Sequence, residues 1–437
     1  MQRKKTVGIG LGPSNLALAI ALVEKVEPND CMDWVFLEKN ENICWHPDML
    51  LEGSRLQISF LKDLVTLRNP TSPFTFLNYL KCKGRLNEFI NLGRFCTERV
   101  EFTDYLTWIH SQLPDELSVL NSTVKEVTPV FEDDSSIREL DVVYLDNARE
   151  VEVRIRTNTV IVAIGGNPSI PNVFKSHIGD RVFHSSQFLS RLNSHKNRKS
   201  KQRIGVVGSG QSAVEIIKHL YETIPDCEIH SIFRKSAFKP ADNSPFVNEV
   251  FFPEETDFMF NLQEDKKRME VLKEYWQTNY SAVELDLLES VYNKIYIDRV
   301  KGIRQINIHN FSNIEALAED RDGQYLLTLK HVLTETLSEL KLDMIILATG
   351  YDRQTLPEFL EPVLPYMQFE RSRISINRDY SVNMEECFKP RIYIQGMSQS
   401  THGISDTLLS VLPIRAQEIL ESVMMHQHVN NDEKVVV

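Results

Sequence analysis

Residues 5–20, KTVGIGLGPSNLALAI, constrain this chain more than any other stretch. They read as a short apolar strand at residues 6–9, a turn Gly10-Leu11-Gly12-Pro13-Ser14-Asn15, and a helix carrying Leu16, Ala17, Ala19, Ile20 and Val23 on one face. Strand, glycine turn and helix in that order make the first unit of a parallel, doubly wound sheet. Gly10 permits the sharp turn, Gly12 lets backbone N–H groups approach a pyrophosphate, and the helix N-terminus adds partial positive charge. Asn15 stands where a third glycine is usual, so the helix is expected to sit slightly farther from the strand. A second apolar strand, residues 34–37, ends in Glu38, an acid placed to accept ribose hydroxyls. A glycine turn alone could be only a tight connection. With the helix, the second strand and Glu38 it reads as a dinucleotide cradle.

The pattern then recurs. Residues 204–207 form a strand, Gly208-Ser209-Gly210-Gln211-Ser212-Ala213 the turn, and Val214, Ile216, Ile217, Leu220 and Tyr221 the helix face. Here the next strand, residues 229–233, ends in Arg234-Lys235. A carboxylate at this point suits a free ribose diol, whereas a guanidinium suits the 2′-phosphate of NADP. Arg234 could instead cap a sheet edge. One acid-terminated and one base-terminated cradle imply FAD in the first and NADPH in the second, with hydride passing from nicotinamide to flavin.

With 437 residues the chain has room for two or three domains. Its formal charge of −12 argues against a nucleic-acid partner. The basic run at 194–203 reads as a solvated connection, not a nucleic-acid arm. The six cysteines, at 31, 44, 82, 96, 227 and 387, form no CxxC pair and no zinc-type spacing. They read as reduced thiols and give no metal site. The first strand starts close to Met1, and no apolar run reaches membrane-spanning length. A cytoplasmic protein with no membrane partner is expected.

Residues 44–91 mix aromatics, prolines and polar groups without period and read as loops packed against something. Residues 101–110 read as a helix, residues 117–156 as a small antiparallel sheet, and residues 158–166 as a buried strand ending in paired glycines. Ser281-Ala-Val-Glu284 reads as a capping box opening a helix with stripe Leu285, Leu288, Val291, Tyr292 and Ile295. Strands return at residues 306–308, 325–330, 341–350 and 391–396, and a final helix starts near Asp406. The fold class is α/β, with two Rossmann-like dinucleotide-binding domains and a small, mostly helical substrate-binding domain. The expected division is 1–165 (FAD, first part), 166–247 (NADPH, first part), 248–304 (helical insertion), 305–357 (NADPH, second part) and 358–437 (FAD, second part, with a segment closing the pocket).

A disulfide reductase would need a redox-active cysteine pair, and none is present. The chain closely resembles the flavin-dependent N-hydroxylating monooxygenases of siderophore biosynthesis, and within them the L-ornithine N5-hydroxylases. The likeness rests on GLGPSNL at 10–16, Trp45-His46, LQISFLKDL at 56–64, NPTSPFTFLNY at 69–79, GSGQSA at 208–213, SPFVNE at 244–249, Asn279-Tyr280, LATGY at 347–351 and THGISDTLLS at 401–410. It implies that NADPH reduces FAD, that O2 then gives a C4a-hydroperoxyflavin, and that NADP stays bound to shield it. The substrate amine attacks the distal oxygen. That amine must be neutral, although a free alkyl ammonium has a pKa of about 10.4, and no strong side-chain base is evident.

Carried over by position, Lys62 matches the lysine holding the ornithine carboxylate. Asn248 matches the asparagine at the α-amino and carboxylate end, and Asn279 the one beside the reacting amine. Gln57 matches a glutamine lining flavin and NADP, and Ser410 lies in the closing segment. Gln57 and Asn279 are the catalytic candidates. The cofactor-binding set is Gly10, Gly12, Pro13, Ser14, Asn15, Glu38, Lys39, Trp45, His46, Gln57, Gly208, Ser209, Gly210, Gln211, Ser212, Arg234, Tyr280, Thr349, Gly350, Tyr351, Asp406 and Leu408. Without the surrounding motifs Lys62 could be a surface cation, and Asn248 or Asn279 a turn or helix cap. The amino-terminal extension common in relatives is almost absent, which bears on assembly contacts; a homo-oligomer is expected. The resemblance implies N-hydroxylation of L-ornithine, with putrescine, cadaverine or L-lysine as alternative substrates. An NADPH oxidase or diaphorase, or a nucleotide-binding regulatory module without turnover, are the readings from other classes.

Overall fold

The computed structural model describes residues 2–194, 202–224 and 226–435, without the side chains of Gln277 and of residues 428–435. Most of the basic run at 194–203 therefore lies outside the described residues. Two five-stranded parallel sheets organise the chain. The first runs Arg391–Ile394, Thr159–Val162, Thr6–Ile9, Trp34–Leu37 and Ser118–Val119 in spatial order. The second runs Val182–His184, Met344–Leu347, Arg203–Val207, Glu228–Ile232 and Ile306–His309. Their inner strands are largely buried, with Val, Ile and Leu predominant, because helices or smaller sheets cover both faces.

Each glycine turn follows the central strand of its sheet, and the chain enters a 13-residue helix directly, Pro13–Lys25 in one case and Gln211–Thr223 in the other. In the first sheet, the helix packs with the carboxy-terminal helix Leu412–Val435. Gln2–Arg3, Val151–Thr157, Ile137–Asp146 and Ser122–Phe131 make a four-stranded sheet against the opposite side of that core.

The structure corrects several sequence expectations. The stretch at 44–91 contains the helices Phe76–Cys82 and Leu86–Leu92. The first is capped by Thr75, whose hydroxyl accepts from the Asn78 N–H at 3.2 Å. Buried Asp63 also accepts from the N–H groups of Val65, Thr66 and Phe76. The expected capping box does not form. Ser281 has φ +54, in the left-handed region, and the helix Leu285–Val300 begins with Glu284 at its N-cap, whose N–H donates to Gln211 Oε1 at 3.0 Å. That helix buries Val291 and packs Leu287, Leu288 and Ile295 beside it; Leu285 and Tyr292, seven residues apart on its far side, are exposed. Strands Ser312–Glu319 and Leu337–Leu342 flank Tyr325–His331 in a three-stranded antiparallel sheet that the sequence reading did not foresee. The final helix starts at Leu412, not near Asp406; the chain first makes the short 3₁₀ turns Ile404–Thr407 and Leu409–Val411.

Candidate functional site

At the C-terminal ends of the first sheet's strands lies a cleft of about 840 Å³. Its position follows from topology, since crevices beyond the carboxyl ends of parallel strands are where such sheets bind ligands. Gly10 has φ +83, and a Cβ there would lie 2.6 Å from the Ala163 carbonyl oxygen, so the sharp turn requires glycine. A Cβ at Gly12 would meet nothing within 4 Å; that side of the turn is open to the cleft.

Glu38 lines the cleft and ties the turn to the second strand. One carboxylate oxygen accepts from the Leu11 N–H at 2.8 Å, the other from Asn40 N–H at 3.0 Å and Asn40 Nδ2 at 2.7 Å. Asn15 is fully buried beneath the turn instead of lining the cleft. Its Nδ2 donates to the Gly10 carbonyl at 2.6 Å, and its Oδ1 accepts from Gln395 Nε2 at 2.8 Å.

The opposite wall comes from the carboxy-terminal segment. Buried Arg415 pairs with buried Asp406 at 3.1 Å, donates to the Asp406 carbonyl at 2.6 Å, and donates to Ser14 Oγ at 3.0 Å. A second Asp406 oxygen accepts from the Ser398 N–H at 2.8 Å. Desolvating such a pair is costly, and these further hydrogen bonds are what make it tenable. Gln395, Ser410 and Arg415 all line the cleft, and their Oε1, Oγ and Nε atoms are buried without hydrogen-bond partners among the described residues. A polar ligand that satisfies orphaned donors and acceptors beside an open glycine turn fits a dinucleotide.

Gly10, Gly12, Pro13, Ser14, Glu38, Lys39, Trp45, His46, Gln57, Tyr351, Asp406 and Leu408 line this one cleft, together with Lys62, Asn248, Asn279 and Ser410. Lys62 is half-buried, makes no ion pair among the described residues, and lies 6.0 Å from the Phe252 ring; burial lowers its pKa. Asn248 closes the short helix Pro245–Asn248 and donates to the Asn243 carbonyl at 3.2 Å. Asn279 is the last residue of the helix Asp265–Asn279. His46, held at φ +51, is pushed down to about 4, first by burial and then by Arg99, Arg353 and His184, so it is neutral at pH 7. Its Nδ1 lies 3.3 Å from the Tyr351 hydroxyl.

Other candidates lie outside this cleft. Gly208, Ser209, Gly210, Gln211, Ser212 and Arg234 sit at the corresponding end of the second sheet; Arg234 is exposed. Gly208 has φ +137, and a Cβ there would lie 2.2 Å from the Ala348 carbonyl oxygen. Thr349 spends its hydroxyl on the Ser169 carbonyl at 2.5 Å, and the Gly350 carbonyl is 2.9 Å from His184 Nε2. Tyr280 stacks on Trp276, accepts from Gln399 Nε2 at 3.2 Å and hydrogen-bonds Thr407. Gln395 and Arg415 were missed by the sequence reading, because nothing local marks a residue whose partner lies hundreds of positions away; Arg353, which also lines the cleft, has no motif of its own. Among the described residues no group of His, Cys, Asp and Glu could hold a metal ion, and no helix is long and apolar enough to cross a membrane.

The model of the L-lysine 6-monooxygenase/L-ornithine 5-monooxygenase family matches residues 3–353. The chain belongs to this family. It is 42% identical over 422 residues to the L-ornithine N(5)-monooxygenase of Pseudomonas aeruginosa, covering 96% of this chain and 93% of that protein. Among solved members of the family, the ornithine hydroxylase PvdA from P. aeruginosa superposes with a TM-score of 0.90 at 41% identity, over 97% of this chain and 100% of that one. The ornithine N-hydroxylase KtzI of Kutzneria sp. 744, solved with reduced FAD, NADP+ and L-ornithine, gives 0.90 at 31% identity with the same coverage. These matches establish the α/β fold of the ornithine hydroxylases for the whole chain.

Proposed function

We propose that this protein is an NADPH- and O2-dependent flavin monooxygenase that N-hydroxylates the side-chain amine of L-ornithine for a hydroxamate siderophore. The observation that carries the substrate assignment is Lys62, an ammonium with no ion pair among the described residues, facing the same cleft as Asn248 and Asn279. A cation opposite amide groups suits a ligand with a carboxylate at one end and amines beyond it. FAD, when bound, supplies the oxygen-transferring chemistry and NADPH the electrons.

The chain's own residues then have separable tasks. Gly10, Gly12 and the first helix N-terminus hold the FAD pyrophosphate, while Glu38 faces the ribose end. Arg234, exposed two residues beyond the strand Glu228–Ile232, meets the 2′-phosphate of NADPH. Lys62 holds the substrate carboxylate, Asn248 the α-amino end, and Asn279 orients the reacting amine. Desolvation of the kind that lowers Lys62 also favours the neutral amine that the reaction needs. In this reading residues 1–165 and 358–437 form the FAD domain, 166–247 and 305–357 the NADPH domain, and 248–304 the substrate-binding insertion. The enzyme acts in the cytoplasm as a homo-oligomer.

The test is hydroxylamine formation with L-ornithine, L-lysine, putrescine and cadaverine compared side by side. Ornithine should give the highest kcat/KM by at least tenfold. A diamine preferred over ornithine would overturn Lys62 as the carboxylate clamp.

A further inference from the structure

Besides Lys62, Arg353 is a cleft cation that makes no ion pair or hydrogen bond among the described residues. It is half-buried, two residues after Tyr351, where the short strand Tyr351–Asp352 pairs with Asn167–Pro168 and the chain passes between the two nucleotide folds. Its stem lies against Gly166, where a Cβ would come 2.9 Å from Arg353 Cγ, and its Nη1 would be 3.6 Å from a Cβ on Gly396. Gly166 and Gly396 follow the strands Thr159–Val162 and Arg391–Ile394, so the guanidinium reaches across the ends of two neighbouring strands of the first sheet.

The charges around it sharpen the case. Asp406 is already matched by Arg415, and Glu38 is occupied by backbone and Asn40 donors. Arg353 is close enough to His46 and Tyr351 for its charge to lower both of their pKa values, against the desolvation that raises Tyr351. A half-buried guanidinium with no counter-ion among the described residues, with glycines clearing its approach, is suited to an anion.

We propose that Arg353 binds the phosphate chain of a dinucleotide in this cleft. The proposal rests on the function proposed above, and the phosphate chain could belong to FAD or to NADPH. Bidentate donation from the guanidinium to two phosphate oxygens would add a contact distinct from those of the glycine turns.

The experiment measures two dissociation constants on purified protein, FAD on the apoprotein by flavin fluorescence and NADP+ on the FAD-loaded protein by titration, each at low and high salt. Wild type is compared with Arg353→Ala and Arg353→Lys. Arg353→Ala should weaken one of the two dinucleotides at least tenfold and flatten its salt dependence, with Arg353→Lys recovering part of the loss. Loss in the FAD arm assigns the site to the FAD phosphates, and loss in the NADP+ arm to those of NADPH. Both constants within twofold of wild type would overturn the proposal. If Arg353→Ala does not fold, Arg353→Lys decides: full wild-type affinity and salt dependence for both dinucleotides overturns the proposal, because a point charge cannot reproduce a bidentate contact. A wild-type protein that binds neither dinucleotide would instead overturn the function on which the proposal rests.

Discussion

The two glycine turns are built alike and finished differently. Both leave a central parallel strand through a glycine with positive φ, and in both a Cβ would strike a carbonyl of the neighbouring strand's end. Past that point the first turn is braced on every side: Asn15 fills the space under it, Glu38 binds its Leu11 amide, and Arg415 reaches Ser14 from the far end of the chain. The second has Ala213 in place of Asn15, and buried Phe233 in the register place of Glu38, with exposed Arg234 one residue further on. The segment before the helix Leu285–Val300 also covers it, with a Cβ on Gly210 in van der Waals contact with Ser281 Cα at 3.6 Å. A deep, pre-organised cradle suits a cofactor that stays, and a shallower, partly covered one suits a cosubstrate that comes and goes.

The largest expected effects separate the two turns. Gly10→Val would combine a left-handed backbone, which costs an L-residue about 1–2 kcal/mol, with collision against Ala163. It should purify without flavin colour. Gly208→Val should keep its flavin yet lose NADPH-dependent flavin reduction, seen by stopped-flow absorbance. Equal loss of FAD in both variants would erase the distinction drawn here.

The next effect concerns the joint between the two folds. Arg99, at the start of the helix Arg99–Gln112, donates twice to Glu215 at 2.8 Å, and Gln211 donates to the same carboxylate at 2.9 Å. Burial raises the Glu215 pKa, while Arg99 opposes that shift. Because both side chains are largely buried, Arg99→Ala strands a carboxylate, and a loss of about 3–5 kcal/mol is expected in denaturant unfolding. A loss under 1 kcal/mol would mean the joint contributes little.

Lys62→Ala should raise the ornithine KM by about 10- to 100-fold, the range for one charge-assisted hydrogen bond of about 1.5–3 kcal/mol, with NADPH-dependent flavin reduction unchanged. Unchanged KM would remove Lys62 from the substrate site.

The smallest effect is one of pH. His46, His184, His230 and His402 are each pushed down to about 4, chiefly by burial. A free histidine titrates near 6.5, so between about 6.5 and 4 the unfolded chain binds more protons than the native one. Native stability should hold above pH 6.5 and fall progressively as pH drops toward 4. Replacing fully buried His402 with Gln should make a Tm–pH curve shallower in that window; an unchanged slope would exclude His402 as a contributor.

The first turn, its helix and Glu38 were legible because the physics is local: strand period, glycine conformation and one following acid all lie within a few dozen residues. Lys62, Asn248 and Asn279 were legible only through the resemblance, since no spacing links residues so far apart. The Arg415–Ser14 and Asn15–Gln395 contacts span the chain's ends and left no pattern to read. At Ser281–Glu284 the local signal was present and lost, because Gln211 from another fold satisfied the helix amide first.

The most direct test of the central claim is stoichiometry: hydroxylamine formed, NADPH consumed and hydrogen peroxide released, measured together with FAD and L-ornithine, and again with L-lysine, putrescine and cadaverine. The account predicts about one hydroxylamine per NADPH, with peroxide a minor product. NADPH consumption matched by peroxide, with no hydroxylamine from any of the four amines, would contradict it and make the protein an NADPH oxidase.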